Sequence, residues 1–584
     1  MLEDAAGPLP KILPKGVEDD GPTRTLEPSR GKPVADEREA EFDAIKERVH
    51  KYYGAFGERA QVEEIDDRVV FADNGWKTTL AVIAVVLFAT TFLWFASHPS
   101  FAGPATWGNN FRLDSAFVVV WGPLLFVAMA SWKLQKSLRI YLALALFIEP
   151  FSEVMFREMG EGGYWDSIMW PSAVAFFGTL KEFAGVPGAS FSTFLLVTLG
   201  LLGRSIYQRR AGYVKPPSFA TGALFIFLST IVSLSIYGIL RGGQIDFTFR
   251  QTIHLVQLPL VGLLFLYALR VPEDLAAVGT AFVITAVIRS FLVMFVYFAV
   301  CVPQGVTALP GKPEWCTNHS DSVLFVSALV ILFAHALEQR QKRITLRSLG
   351  IGAIILFAVV LNNRRLAFVS LAIAPFAMYL ALAPSKRKRR ITAALLVCAP
   401  LLAGYVLVGA EAESSSPVFK PAKAITSVLD QKDASSQSRN VENENLVYTL
   451  GQSPVLFRGF GHEYDYSPNN PPVDLSDTFK NFRLIAHNGV LWLWSIAGVL
   501  GFTLIWLVYP LAGTMAMRGY RAAQTPLERS AALAALGMVA VVVIQIWGDQ
   551  GFNSYMTLIT FGVAFAVASR LAVRAHASSG MEEL

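Results

Sequence analysis

Two short stretches place proton-transfer and anion-binding side chains among apolar residues. In "IAHNGVLWLWSIAGVLG" (485–501), His487 and Asn488 open an apolar run, with Gly498 and Gly501 further along. A histidine titrates near pH ~6.5, which suits it to take a proton from a hydroxyl. In "LNNRRLAF" (361–368), Asn362 and Asn363 precede the paired arginines Arg364 and Arg365 in a tight turn between two apolar runs. An arginine near the bilayer core costs roughly 2.5–3.5 kcal/mol on insertion scales, and less near the interface. Two of them there need a reason. Snorkelling to lipid phosphates is one; the other, favoured here, is an anion site, because paired guanidinium groups grip a diphosphate through bidentate hydrogen bonds.

A third stretch is "SSQSRNVENENLVYTLGQSPVLFRGFGHEY" (435–464). Polar starting residues, then Leu446, Val447 and Leu450 at helical spacing, predict a helix from Ser438 that Gly451 ends. Arg439 falls in its first turn. Gly459 and Gly461 follow and permit a close backbone approach. His462, Glu463 and Asp465 read as a solvated turn, not as ligands of an ion, and no metal or cofactor site is apparent. The segments "RGGQIDFTFR", with Arg241 and Arg250, and "EWCTNHSDS", with His319, either line the same cavity or anchor the chain at the interface.

The elements that must position these residues follow from composition. Of 584 residues, 53% are hydrophobic and 16% charged, and the mean hydropathy is +0.44. Soluble domains carry about a quarter charged residues, so an ordinary soluble protein is excluded. Apolar blocks recur near the ~20 residues that cross a bilayer. The expected fold is an all-α polytopic integral membrane protein of about fourteen transmembrane helices, with one large outer loop containing short helices. The expected spans are about 78–97, 114–132, 140–156, 189–206, 217–240, 251–270, 276–302, 321–338, 349–361, 366–383, 391–409, 488–515, 531–547 and 555–571. The segment 164–183, interrupted by Pro171, reads as re-entrant or interfacial.

Lys133, Lys136 and Arg139, then Arg204, Arg209 and Arg210, then Arg340, Lys342, Arg343 and Arg347, and the run "KRKRR" at 386–390 all fall in alternate loops. By the positive-inside rule these loops are cytoplasmic. The chain then divides into a cytoplasmic tail (1–76), eleven spans (77–409), an external loop (410–487), three spans (488–571) and a short cytoplasmic tail (572–584). Residues 1–35 are rich in Pro, Gly and charge and read as disordered; those after them have a weak amphipathic period. His487 and the Arg364–Arg365 turn then share the outer face. The net charge of +5 reflects Lys and Arg at span ends, so membrane lipids are expected partners and nucleic acid is not. Cys398 lies in an apolar run and reads as packing, whereas Cys301 and Cys316 flank a loop where a disulfide is permitted if that loop is outside the cytoplasm.

Together these pieces resemble the O-antigen ligase superfamily of bacterial membrane glycosyltransferases, over roughly residues 215–570. His487, Asn488, the nine residues 489–497, Gly498, two more residues and Gly501 match that family's motif after its large periplasmic loop. Ser436, Arg439, Pro454, Gly459 and Gly461 resemble its loop helix and turn, and Asn363 with Arg364 its short turn between spans. The resemblance implies an inner-membrane enzyme that moves a glycan from undecaprenyl diphosphate to lipid A core, or another acceptor, at the periplasmic face. It makes His487, Arg439 and Arg364 the expected catalytic residues, with Arg365, Asn488, Arg241 and Arg250 on the donor. His487 would act as general base, or else hydrogen-bond the diphosphate or orient the acceptor; Gly498 and Gly501 would only let helices pack closely.

Two relatives of the same superfamily remain as alternatives: a polymerase that lengthens the lipid-linked glycan, and an oligosaccharyltransferase that modifies protein. Some polymerases carry Arg-x10-Gly in two outer loops; here Gly451 falls one residue too far from Arg439, and there is one large loop. A polysaccharide transporter would be expected to show internal repeats, and none is evident.

Overall fold

The computed structural model describes residues 80–81, 83–85, 134–148, 176–178, 191–210, 216–269, 272–298, 319–338, 342–412, 419–426, 434–452, 455, 458–470 and 483–578. Contacts divide the chain into Met1–Asp66 and Asp67–Leu584, and all described residues belong to the second unit. The N-terminal tail with its amphipathic stretch, most of the first two expected spans, most of 164–183, Cys301, Cys316 and 471–482 lie outside the described residues.

Fifteen α-helices are described, in chain order α1 (Leu134–Ile148), α2 (Thr193–Arg210), α3 (Ser218–Leu240), α4 (Ile245–Ala268), α5 (Pro272–Val296), α6 (His319–Glu338), α7 (Lys342–Asn362), α8 (Arg365–Ala381), α9 (Lys386–Glu411), α10 (Lys420–Thr426), α11 (Ala434–Gln452), α12 (Gly489–Trp506), α13 (Val508–Ala522), α14 (Pro526–Gly548) and α15 (Tyr555–Ser578). Among the described residues there is no β-strand. Eight helical segments are long and apolar enough to cross a membrane, and α1, α2, α7 and α8 contribute shorter apolar ones. The chain is thus a multi-pass, all-helical membrane protein.

The core forms where α4, α13 and α14 pack around α15, and where α6 and α8 pack on α14. Burial separates centre from edge. The most apolar window of α15 is 89% buried, whereas none of that of α9 is. Cys398 on α9 is correspondingly exposed rather than packed, which corrects the sequence reading. An apolar helix with bare sides suits a lipid-facing position.

The expected span at 488–515 falls in one crossing segment, Gly489–Ala522, built from α12 and α13, which adjoin at Leu507. Asn488 caps α12, its Oδ1 accepting from the Leu491 N–H at 3.1 Å. Gly498 interrupts α12 with φ 62° and ψ 179°, a region that only glycine occupies easily. The break takes the Ile496 carbonyl out of the helical ladder, and the Gly459 N–H donates to it at 3.2 Å. Close packing accounts for Gly501, where a Cβ would stand 2.7 Å from Leu234 of α3. It does not account for Gly498, whose backbone is what the fold uses.

Gly459 itself has φ +80°, and a Cβ there would come within 2.6 Å of the Leu234 carbonyl oxygen. The "RGFGHEY" turn is therefore inserted against the end of α3. Gln251 of α4, 1% exposed, binds this turn to the segment before His487. Its Oε1 accepts from the Gly461 N–H at 2.7 Å, and its Nε2 donates to the carbonyls of His462 at 2.8 Å and Leu484 at 2.9 Å. Trp492, fully buried, donates through Nε1 to the same Leu484 carbonyl at 2.6 Å. His487 is thus approached by a segment fixed from two helices.

Candidate active site

The start of α6, the turn from α7 to α8, α11, the start of α12 and the end of α14 meet at one end of the bundle. They bring together the ionisable side chains of a compact cluster, α11 contributing two, Arg439 and Glu442. His487 lies just before α12, where its backbone N–H donates to Glu442 Oε2 at 3.0 Å. Its Nδ1 lies 3.1 and 3.3 Å from the two Glu442 carboxylate oxygens. A carboxylate accepts only, so Nδ1 carries the proton and Nε2 keeps its lone pair whenever the ring is neutral. Burial pulls the His487 pKa down, but the hydrogen bond and charge of Glu442, with Asp549, outweigh it and hold the group above the ordinary histidine range; Arg439 opposes them.

Glu442 belongs to α11, three residues after Arg439 and so on the same face. That face continues through Asn445 and Thr449. Asn445 Oδ1 accepts from the Ser467 N–H at 2.8 Å, and Thr449 Oγ1 from the Asp465 N–H at 2.9 Å. The inward face of α11 is therefore a polar stripe beside Leu446, while Val447 is exposed. The helix begins at Ala434, four residues before the Ser438 start read from the sequence. Arg439 lies in its second turn, not its first.

Asn363 takes a left-handed conformation, φ 50°, and Arg364 follows in extended backbone as the N-cap of α8. The turn directs Arg364 inward, where it is 6% exposed and its Nη1 lies 3.0 Å from His319 Nε2. His319 Nδ1 is 2.9 Å from Asp549 Oδ2, and the Gln545 amide donates to that same oxygen at 2.9 Å. Burial raises the Asp549 carboxyl pKa, but the charges of His319, Arg439 and His487 overcome it and hold the group well below the usual carboxylate range. Arg365 points elsewhere, its Nη1 donating to Ser436 Oγ at 3.3 Å, which ties α8 to α11.

The sequence-predicted residues thus separate. His487, Arg439 and Arg364 come together, with His319 among them. Asn488 commits its side-chain oxygen to the helix cap. Arg250 pairs with Asp246 of its own helix at 2.8 Å, and Arg241 caps the end of α3, where its charge, after burial, helps lower the His462 pKa. His462, Glu463 and Asp465 have protein partners. His462 Nε2 lies 3.2 Å from the Gly238 carbonyl, Arg483 is 3.0 Å from Glu463, and Arg458 grips both Asp465 oxygens at 3.1 and 2.6 Å. Among the described residues no group of three His, Cys, Asp or Glu side chains is arranged to hold a metal ion.

Glu442, Asp549 and Gln545 were missed. Glu442 had a signal in its i,i+3 spacing from Arg439; Asp549 had only its place in the short turn "GDQGFNS". A cavity of about 770 Å³ lies among α5, α6, α7, α14 and α15, lined by residues including Phe282, His335 and Arg347. It sits at the opposite ends of these helices and contains none of the cluster, so the chemistry is assigned to the cluster and not to the cavity.

The fold and the cluster define a multi-pass membrane protein with a charged, histidine-bearing site at one end of its helices. Residues 350–506, just over a quarter of the chain, match the O-antigen ligase family model, and the match supports membership of the O-antigen ligase superfamily. The match runs from within α7 to the end of α12 and so includes Arg364, Arg439, Glu442 and His487. That family consists of glycosyltransferase-like membrane enzymes, whose substrates are glycans and lipid-linked glycans. No curated protein matches the chain.

Proposed function

We propose that the chain is a ligase that transfers a glycan from undecaprenyl diphosphate to lipid A core, or to a similar acceptor, at the periplasmic face of the inner membrane. The observation that carries the reading is the pairing of His487 Nδ1 with Glu442 at 3.1 Å, beside Arg439 and Arg364. The pairing leaves Nε2 as the basic atom. In the proposed reaction Nε2 takes the proton of an acceptor hydroxyl. The hydroxyl oxygen then bonds to the anomeric carbon as the carbon–oxygen bond to the diphosphate breaks. Undecaprenyl diphosphate leaves with the electron pair, and its added charge falls to Arg439 and Arg364. Arg365 supports the site through Ser436, and Asn488 shapes the start of α12. Arg241 and Arg250 contact more distant parts of the donor.

The test is glycan transfer by the purified chain in lipid, from an undecaprenyl-diphosphate-linked donor to a lipid A core acceptor. Transfer by wild type, lost in folded His487→Ala and Arg439→Ala, supports the ligase and the site. A wild type that lengthens the lipid-linked glycan and leaves the core untouched is a polymerase. One that modifies only protein is an oligosaccharyltransferase, and full activity in both variants sinks the site assignment.

A further inference from the structure

The site contains a second histidine–carboxylate pair, His319 with Asp549, and both residues lie outside the stretch matched by the family. It resembles the His487–Glu442 pair in composition but differs in what its other nitrogen meets. His487 presents a basic Nε2. His319 Nε2 is already engaged, 3.0 Å from Arg364 Nη1. A guanidinium has donors and no acceptor, so the nitrogen facing it must accept. The proton of a neutral His319 ring then sits on Nδ1, which lies 2.9 Å from the Asp549 carboxylate, an ion-pair distance without hydrogen-bond alignment. Asp549 is fixed in turn by Gln545. The order Gln545–Asp549–His319–Arg364 is therefore directional, each member leaving the next one arrangement.

We propose that His319 is a positioning residue for donor binding: accepting through Nε2 from Arg364 with its Nδ1–H beside the Asp549 carboxylate, it orients the Arg364 guanidinium toward the donor diphosphate and takes no proton from the acceptor. This rests on the ligase reading for what Arg364 binds, but not for how His319 holds Arg364. The backbone supports the assignment. Arg364 caps α8 directly after the left-handed Asn363, so its main chain is fixed and the His319 contact bears on the side chain alone. His319 is itself anchored, because α6 begins with it and the next residue, Ser320, shares a 2.9 Å hydrogen bond with Ser554. The two histidines thus divide the work. His487, paired with Glu442 through Nδ1, handles the proton, and His319, set between Asp549 and Arg364, handles geometry.

Two measurements test this. The first is nitrogen NMR of the full chain labelled with 15N-histidine in lipid, where His319→Gln identifies the His319 signals among eight histidines. The expected signature is a protonated Nδ1 and a bare Nε2; a protonated Nε2 overturns the proposal, since Arg364 could not donate to it. The second is the affinity for undecaprenyl diphosphate alone, with folding checked by thermal unfolding. His319→Leu should weaken binding roughly tenfold or more, the usual size for a hydrogen bond to a charged group. His319→Gln, whose amide offers one acceptor and one donor, should restore most of it and leave the acid limb of the rate profile in place. If His319→Leu binds like wild type while Arg364→Ala does not, the proposal is wrong. If Arg364→Ala also binds like wild type, the diphosphate reading of the site fails instead, and the nitrogen signals alone decide whether His319 holds Arg364.

Discussion

Glu442→Gln is the most informative single change in the proposed mechanism. Glu442 Oε2 accepts from both the His487 backbone N–H, at 3.0 Å, and Nδ1, at 3.1 Å. A glutamine has one oxygen for two donors. If that oxygen takes the Oε2 place, the NH2 takes the Oε1 place, 3.3 Å from Nδ1, where it opposes the Nδ1–H, and the carboxylate charge that favours this tautomer and a basic Nε2 is gone. If the amide flips, the backbone N–H opposes another donor. General-base catalysis contributes about 10²–10⁴-fold, equal to roughly 2.7–5.5 kcal/mol of barrier, so kcat should fall by that factor with donor KM little changed. The pH profile adds an independent check. Glu442 and Asp549 hold the His487 pKa above the ordinary histidine value against burial, and the base must be neutral to act. Wild-type kcat therefore climbs only above that ordinary range, and in Glu442→Gln the acid limb moves to lower pH while the plateau drops. Stability has the opposite slope. A raised folded pKa contributes fully below the unfolded value of ~6.5 and is lost as pH rises through the folded value. The assay is glycan transfer in lipid over pH with thermal unfolding alongside. Wild-type kcat and an unmoved acid limb in a folded Glu442→Gln would refute the reasoning.

Other consequences of the geometry can be checked by thermal unfolding. Gln251→Leu leaves the Gly461 N–H and the His462 and Leu484 carbonyls without this buried partner; at about 1–3 kcal/mol for each unsatisfied group, the melting temperature should drop clearly, and an unchanged melt contradicts the bracing role. Gly498→Val forces φ 62° on a β-branched residue and should cost roughly 1–3 kcal/mol; a neutral outcome would mean that α12 closes over the break. Arg289→Leu removes one member of a fully buried ion pair with Asp321 and should cost about 3–5 kcal/mol, whereas adding Asp321→Leu should recover much of that. Transfer assigned to arginine-held diphosphate should persist in EDTA, and its loss there would reassign the charge-neutralising role.

What the sequence made legible was set by short-range pattern. Apolar runs gave α3, α6 and α8 within two residues of their observed bounds, because the ~20-residue crossing length is a local property. His487, Arg439 and Arg364 stood out as polar residues where apolar ones are expected. Their partners did not. Glu442 and His487 are 45 residues apart, and Arg364 and His319 likewise 45; nothing local announces such pairing. The helix carrying Glu442 was read by its apolar positions, whereas its inward face is the polar stripe of Arg439, Glu442, Asn445 and Thr449. Gly498 was read as a packing glycine because composition does not report φ.

The arginine that the sequence reading passed over bears on what kind of protein this is. Arg289 lies within a membrane-crossing segment, Asp274–Val296, and a charge at such a depth is also what a transport path would carry. A charge in a transport path faces a water-filled cavity and changes partner as cargo passes. Arg289 faces no such cavity: it and Asp321 are 0% exposed, and its Nη1 also donates to the Phe147 carbonyl at 2.7 Å. Asp321 is the second residue after His319, and the four residues 319–322 each hold a different element. His319 meets Arg364 and Asp549, Ser320 meets Ser554, Asp321 meets Arg289, and Ser322 accepts from Asn362 at 3.4 Å. The buried pair therefore fixes the first turn of α6 from below, and that turn fixes Arg364 from the side. A charge sealed in this way orders a site instead of moving a solute, and so the one feature that favours a transporter reads as support for an enzyme.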